Sequence, residues 1–168
     1  TAFGRQSQPG LNTVVLLPFC DGDVSDLQGQ QYVDQSRDVV DDTDPSLRSA
    51  VMVMGANHNY FNRQWTPGES RAPSWDDWGG NDPLCGKSSP PRLSPEEQRD
   101  VGSTYIAAAA NVFTEGDRAQ LPLIDGSPLR AASADPAVVQ VTALGANRTP
   151  VYLPAEGDAM TATGSMTS

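Results

Sequence analysis

An α/β fold built on a parallel sheet is predicted by three features of this 168-residue chain. Thr13 to Phe19 is continuous in Val and Leu, the pattern of a strand covered on both faces rather than one that alternates between core and water. Ser49 to Met54 is a second apolar run of the same kind. One segment of helical spacing separates them, so strand, helix and strand form a βαβ unit whose crossover is expected to be right-handed.

Taken in order, residues 1–12 (TAFGRQSQPGLN) read as a polar linker before the first strand. Asp21 to Asp26 form a loop. From Leu27 to Val40, Tyr32, Ser36, Val39 and Val40 recur at helical spacing, and Thr43-Asp44-Pro45 stops the helix. Residues 62–93 hold three tryptophans (65, 75, 78), five prolines (67, 73, 83, 90, 91) and no period. A loop that long is a functional cover or a disordered segment, since ordinary connections run to about 4–6 residues. Ser94-Pro95-Glu96-Glu97 is a helix start, with Ser94 as N-cap, Pro95 at the first helical position and Glu97 completing a capping box. Val101, Tyr105, Ala108, Ala109 and Val112 form that helix's apolar face, and Glu115-Gly116 ends it. Beyond it, Ala137 to Leu144 and Thr149 to Leu153 read as strands of a short β-rich segment, and the tail TATGSMTS packs nothing. The organisation expected is a linker (1–12), a main body (13–125) and a β-rich appendage with a flexible tail (126–168).

Charge narrows the function. The net charge is −10, and residues 21–44 carry eight aspartates against one basic residue, Arg37. Such a surface repels phosphate backbones and anionic headgroups, which argues against nucleic acid and membrane surfaces as partners. No apolar run reaches the roughly 18 residues of a membrane span. The chain begins at Thr1 and meets a core-like strand within about a dozen residues, from which a longer precursor is expected. Cys20 and Cys85 are compatible with one disulfide in an exported protein or with two free thiols. Neither lies in a CxxC or Cys/His cluster, so a thiolate metal site is not expected.

The chemistry concentrates at two strand ends. Leu16-Leu17-Pro18-Phe19 runs into Cys20-Asp21-Gly22-Asp23-Val24, and 37 residues after Asp21 comes His58, the only histidine, in Gly55-Ala56-Asn57-His58-Asn59. An acid and then a histidine, each at the carboxyl end of a strand with a helix between, is how the last two members of a Ser-Asp-His triad are presented in an α/β-hydrolase sheet. A general base for a hydroxyl titrates near neutrality and needs a carboxylate to hold its tautomer. Against this stands a plainer role for His58, a hydrogen-bonded loop residue between two asparagines.

The acid is either Asp21, which fits a strand followed by D-x-x-V and a helix, or Asp23. Ser25 or Asp26 is expected to cap the following helix. A calcium loop is not supported, because the twelfth position counted from Asp21 is Tyr32 rather than Glu. No G-x-S-x-G occurs, and Cys20 reads as a disulfide partner or a small buried hydrophobe rather than a nucleophile. The tryptophans either line a pocket or anchor the long loop.

Four blocks in this order, LLPFCDGDVSDLQGQQYVD, MVMGANHNYFNRQW, a Trp-rich loop with DDW and a cysteine, and RLSPEEQR before a helix, resemble the C-terminal part of secreted actinobacterial α/β-hydrolases of the lipase/esterase and dienelactone-hydrolase-like kind. The resemblance covers residues 13 to about 125. It implies an incomplete α/β-hydrolase fold, Asp21 as triad acid, His58 as triad base, a Cys20–Cys85 disulfide, secretion, a carboxylic-ester substrate and no cofactor. It also implies that the nucleophile belongs to a missing N-terminal half of the domain, so that this chain alone is inactive. The alternative from another class is a non-catalytic extracellular binding or structural module.

Overall fold

The computed structural model describes residues 9–39, 43–74 and 81–145. Residues 1–8, Val40, Trp75, Trp78, the expected strand from Thr149 to Leu153 and the tail lie outside the described residues.

Strand β1 (Thr13–Pro18) pairs in parallel with β2 (Arg48–Val53), from Thr13 opposite Arg48 to Pro18 opposite Val53. On its other side β2 pairs antiparallel with β3 (Val139–Leu144), giving the order β1-β2-β3. The protein is thus α/β, with a small mixed sheet. The strand expected within a β-rich appendage is continuous with this sheet. Its partner could not be read locally, because antiparallel pairing depends on contacts some ninety residues away along the chain.

Position in the sheet explains burial. Central β2 is buried along nearly its whole length, whereas β1, an edge strand among the described residues, is mostly half-buried despite its unbroken apolar sequence. Alternate residues of β2 feed two cores. Val51 and Val53 pack with Val101, Tyr105 and Ala108 of helix α3 (Pro95–Ala110), and Ala50 packs with Leu17, Val33 and Leu144 on the opposite face.

The helix expected from Leu27 to Val40 is broken. A 3₁₀ turn (Gln28–Gln30) leads into two single-turn helices, α1 (Gln31–Asp34) and α2 (Ser36–Val39). Leu27 sits at φ 54°, a left-handed conformation that keeps it outside the helical segment, which starts at Gln28. Ser36 is buried as expected, but Tyr32 is exposed and Val33 is buried in its place. Neither Ser25 nor Asp26 caps this segment. Leu27 occupies the N-cap position without a side-chain bond, and Asp26 accepts from Gln28 Nε2 instead.

Helix α3 starts as its sequence dictates. Ser94 Oγ accepts from the Glu97 N–H at 3.2 Å and Glu97 Oε2 accepts from the Ser94 N–H at 2.8 Å. Its last turn widens into a π-turn (Asn111–Glu115), and Gly116 ends it at φ 67°. Val101, Tyr105 and Ala108 face the core as expected, joined by Gln98, which is fully buried.

At the amino end of β2, the buried Arg48 pairs with Asp44 at 3.0 Å. The Gly10 N–H, then the Ser46 hydroxyl and N–H, with a smaller contribution from Arg48, hold the Asp44 carboxyl far below the usual carboxylate range. Among the described residues no helix is long and apolar enough to cross a membrane.

Candidate active site

Parallel pairing continues past the formal strand ends. The Phe19 N–H donates to the Val53 carbonyl at 3.0 Å and the Cys20 N–H to the Ala56 carbonyl at 2.8 Å. Both chains therefore leave the sheet at the same edge, and the next residues, Asp21 and Asn57-His58, meet there. The structure brings the two expected site residues into contact, with His58 Nδ1 3.0 Å from Asp21 Oδ2.

Asp21 is fixed from its other side. Its Oδ1 accepts from the N–H groups of Asp23 and Val24, each at 2.8 Å. The carboxylate thus closes its own loop while aiming the second oxygen at the imidazole. Asp23, the other candidate acid, is exposed and contributes a backbone N–H to Asp21. An ionised carboxylate only accepts, so Nδ1 carries the proton in this pair and Nε2 is left as the basic nitrogen of the neutral ring. Burial separates the two partners: the Asp21 side chain is 6% exposed and that of His58 is 25% exposed.

The histidine loop is shaped by three features. Gly55 lies at φ 75°, and a Cβ there would stand 1.8 Å from the Pro91 carbonyl oxygen, so only glycine fits this close approach. The Gly55 carbonyl in turn accepts from the Leu93 N–H at 3.1 Å. Asn57 Oδ1 accepts from the N–H groups of Asn59 and Tyr60 at 3.1 and 3.0 Å, which turns the chain straight after His58. Finally, the side-chain amide of Gln98 pairs with both backbone polar groups of Asn57.

Trp65 stacks on the His58 ring, with centroids 5.2 Å apart and planes inclined by 26°. The Trp65 backbone N–H donates to Asn62 Oδ1 at 2.9 Å, so a short turn presents the indole. Trp65 is 45% exposed, which favours the pocket-lining role over that of a buried loop anchor. Beside the pair opens a cavity of about 400 Å³ along the outer edge of β1, walled by Leu16, Leu17, Leu27, Phe61 and Trp65. No hydroxyl or thiol side chain lines it among the described residues.

Cys20 and Cys85 form a disulfide, so the residue before Asp21 is bonded to the segment that runs on to Pro91, whose carbonyl closely approaches Gly55. A buried half-cystine at this point indicates an oxidising environment. Two parts of the site have no obvious sequence signal. Gln98 looks like an ordinary polar helix residue, and Trp65 is one of three tryptophans in an aperiodic loop. Comparison of the chain with protein-family models, with curated proteins and with solved structures returns no match.

Proposed function

We propose that this chain is the acid- and base-bearing part of an exported serine hydrolase that acts on carboxylic esters. The single observation that carries the reading is the His58 Nδ1–Asp21 Oδ2 contact at 3.0 Å, made by a buried carboxylate already locked by two N–H donors. A histidine serving only to tie down a loop needs no second residue held this way. In the reaction, His58 Nε2 takes the proton of an attacking serine hydroxyl and returns it to the leaving alcohol, while Asp21 keeps the ring in the required tautomer and stabilises the imidazolium. The apolar cavity and Trp65 suit the hydrocarbon part of an ester.

The same cavity supports a nucleophile delivered from outside the described residues. It lies along the edge of β1 that is unpaired among the described residues, where one more strand would extend the sheet and bring its own carboxyl-terminal turn beside His58. A serine on such a strand-to-helix turn, with its oxyanion donors, completes the α/β-hydrolase arrangement. The disulfide is consistent with secretion.

The test compares two polypeptides. The 168-residue chain is expected to hydrolyse a short-chain p-nitrophenyl ester no faster than buffer and to resist a fluorophosphonate. The polypeptide encoded with its upstream reading frame should be labelled, and Asp21→Asn in it should lower kcat on the order of 10³- to 10⁴-fold. Turnover by the short chain that His58→Ala abolishes would place the nucleophile inside these residues. A longer polypeptide that neither labels nor turns over would support a non-catalytic extracellular module instead.

A further inference from the structure

We propose that Gln98 is a positioning residue for His58. It stands in the first turn of α3, directly behind the Ser94–Glu97 capping box, and its own N–H donates to the Ser94 carbonyl at 3.0 Å, so its backbone is fixed independently of the site. Its side chain is fully buried, and both ends of the amide are spent on the backbone of one residue, Asn57. Oε1 accepts from the Asn57 N–H at 2.9 Å, and Nε2 donates to the Asn57 carbonyl at 2.6 Å. That carbonyl belongs to the peptide bond leading into His58. The pair therefore fixes the backbone from which the imidazole reaches Asp21.

The loop needs such a clamp because other groups in it favour leaving. Asn57 Nδ2 and both amide atoms of Asn59 are buried with no partner among the described residues. Unpaired buried polar atoms draw a segment towards water, whereas moving the loop off Gln98 leaves that buried side-chain amide without either of its partners. The Gln98 amide therefore weighs against opening at the residue that precedes His58. The next residue makes a second tie to the loop. Arg99 Nη2 donates to Glu69 Oε1 at 3.2 Å, joining the same turn of α3 to the segment that follows Trp65.

The catalytic meaning of this role rests on reading His58 as a base, but its test reads the Asp21–His58 contact itself. Failure of one reading therefore leaves the other standing. His58 is the only histidine, so the unmodified chain labelled with ¹⁵N-histidine gives a single ring Nδ1–H signal, visible when a hydrogen bond slows its exchange with water. The comparison is made at about pH 5 and well below the thermal transition. Gln98→Met conserves volume and removes both bonds, and should speed this exchange by about tenfold or more. Gln98→Glu should restore the signal, because a buried carboxyl is protonated there and both accepts and donates in place of the amide.

In the unmodified chain the Asn57 N–H should exchange as slowly as the β2 amides. Rapid exchange of that amide overturns the proposal whether or not Gln98→Met folds. So does a folded Gln98→Met chain with its ring signal unchanged. Loss of the signal in both variants only in step with far-UV circular dichroism makes Gln98 a core residue and nothing more, which also overturns it. In the complete enzyme the same substitution should lower kcat and leave KM unchanged, as expected of a misaligned base.

Discussion

Replacing both Cys20 and Cys85 with alanine removes a covalent link between residues 65 apart in sequence. Closing a loop of that length lowers the entropy of the unfolded chain, and the chain-entropy relation puts the loss at about 4 kcal/mol near room temperature. That is a large share of the roughly 5–15 kcal/mol that stabilises an ordinary domain. With a urea slope of about 2 kcal/mol/M, the midpoint should fall by about 2 M. The folded state should change little, because the Cys20 N–H still donates to the Ala56 carbonyl at 2.8 Å and Asp21 still closes its own loop through Asp23 and Val24. Urea unfolding followed by tryptophan fluorescence measures the first quantity, and the His58 ring Nδ1–H signal without denaturant measures the second. A midpoint shift below about 0.5 M would refute the entropic account. Loss of the ring signal in folded, bridge-free protein would instead show that the disulfide holds the site directly.

Asp44→Asn should cost about 3 kcal/mol at neutral pH by uncovering the buried Arg48, the figure staying low because the Ser46 carbonyl still accepts from Nη1. The folded Asp44 carboxyl is depressed below its unfolded value of about 3.9, so its stabilisation is complete above that pH and is lost as pH falls through the folded value. Urea midpoints measured between pH 7 and 2 should show a steeper acid limb in the unmodified chain than in the variant, and parallel limbs would contradict the linkage. Gly55→Ala should destabilise by about 2 kcal/mol more than Gly68→Ala, since both sites have positive φ but only Gly55 faces a backbone atom at 1.8 Å. Equal losses in thermal unfolding would mean that the Pro91 contact is not a constraint. Ser94→Ala should cost about 1 kcal/mol in the same measurement, through loss of the Glu97 N–H acceptor, and no change would discount the capping box.

What could be read from the chain follows from how local each cause is. The start of α3 was legible because Ser94, Pro95 and Glu97 satisfy each other within one turn. The meeting of Asp21 with His58 was legible for a topological reason, since two parallel strands joined by a crossover send their following loops to one edge. The late start after Leu27 was hidden because the segment has few apolar residues and its left-handed turn falls on a leucine rather than on glycine or asparagine. Burial of Gln98 was hidden for the opposite reason. A polar side chain enters a core when a backbone partner waits there, and the Asn57 peptide comes from a segment 41 residues away.

The contacts described at the Asp21–His58 pair all come from inside the stretch between Cys20 and Arg99: the Asp23 and Val24 amides, the Asn57 side chain, Trp65, the disulfide and Gln98. Of these, Trp65 and Val24 also line the apolar cavity at the outer edge of β1; the Asn57 and Gln98 hydrogen bonds and the disulfide are made away from it. Orientation of acid and base is thereby separated from whatever occupies that edge. For the proposed hydrolase this has a mechanistic consequence. The desolvation and ordering needed to align the imidazole are met before a nucleophile arrives, so a strand added along β1 has only to deliver its serine and oxyanion donors to a base already set. A site whose histidine depended on the incoming strand would need both halves to order together, and the buried amide pair at Asn57 makes that unnecessary here.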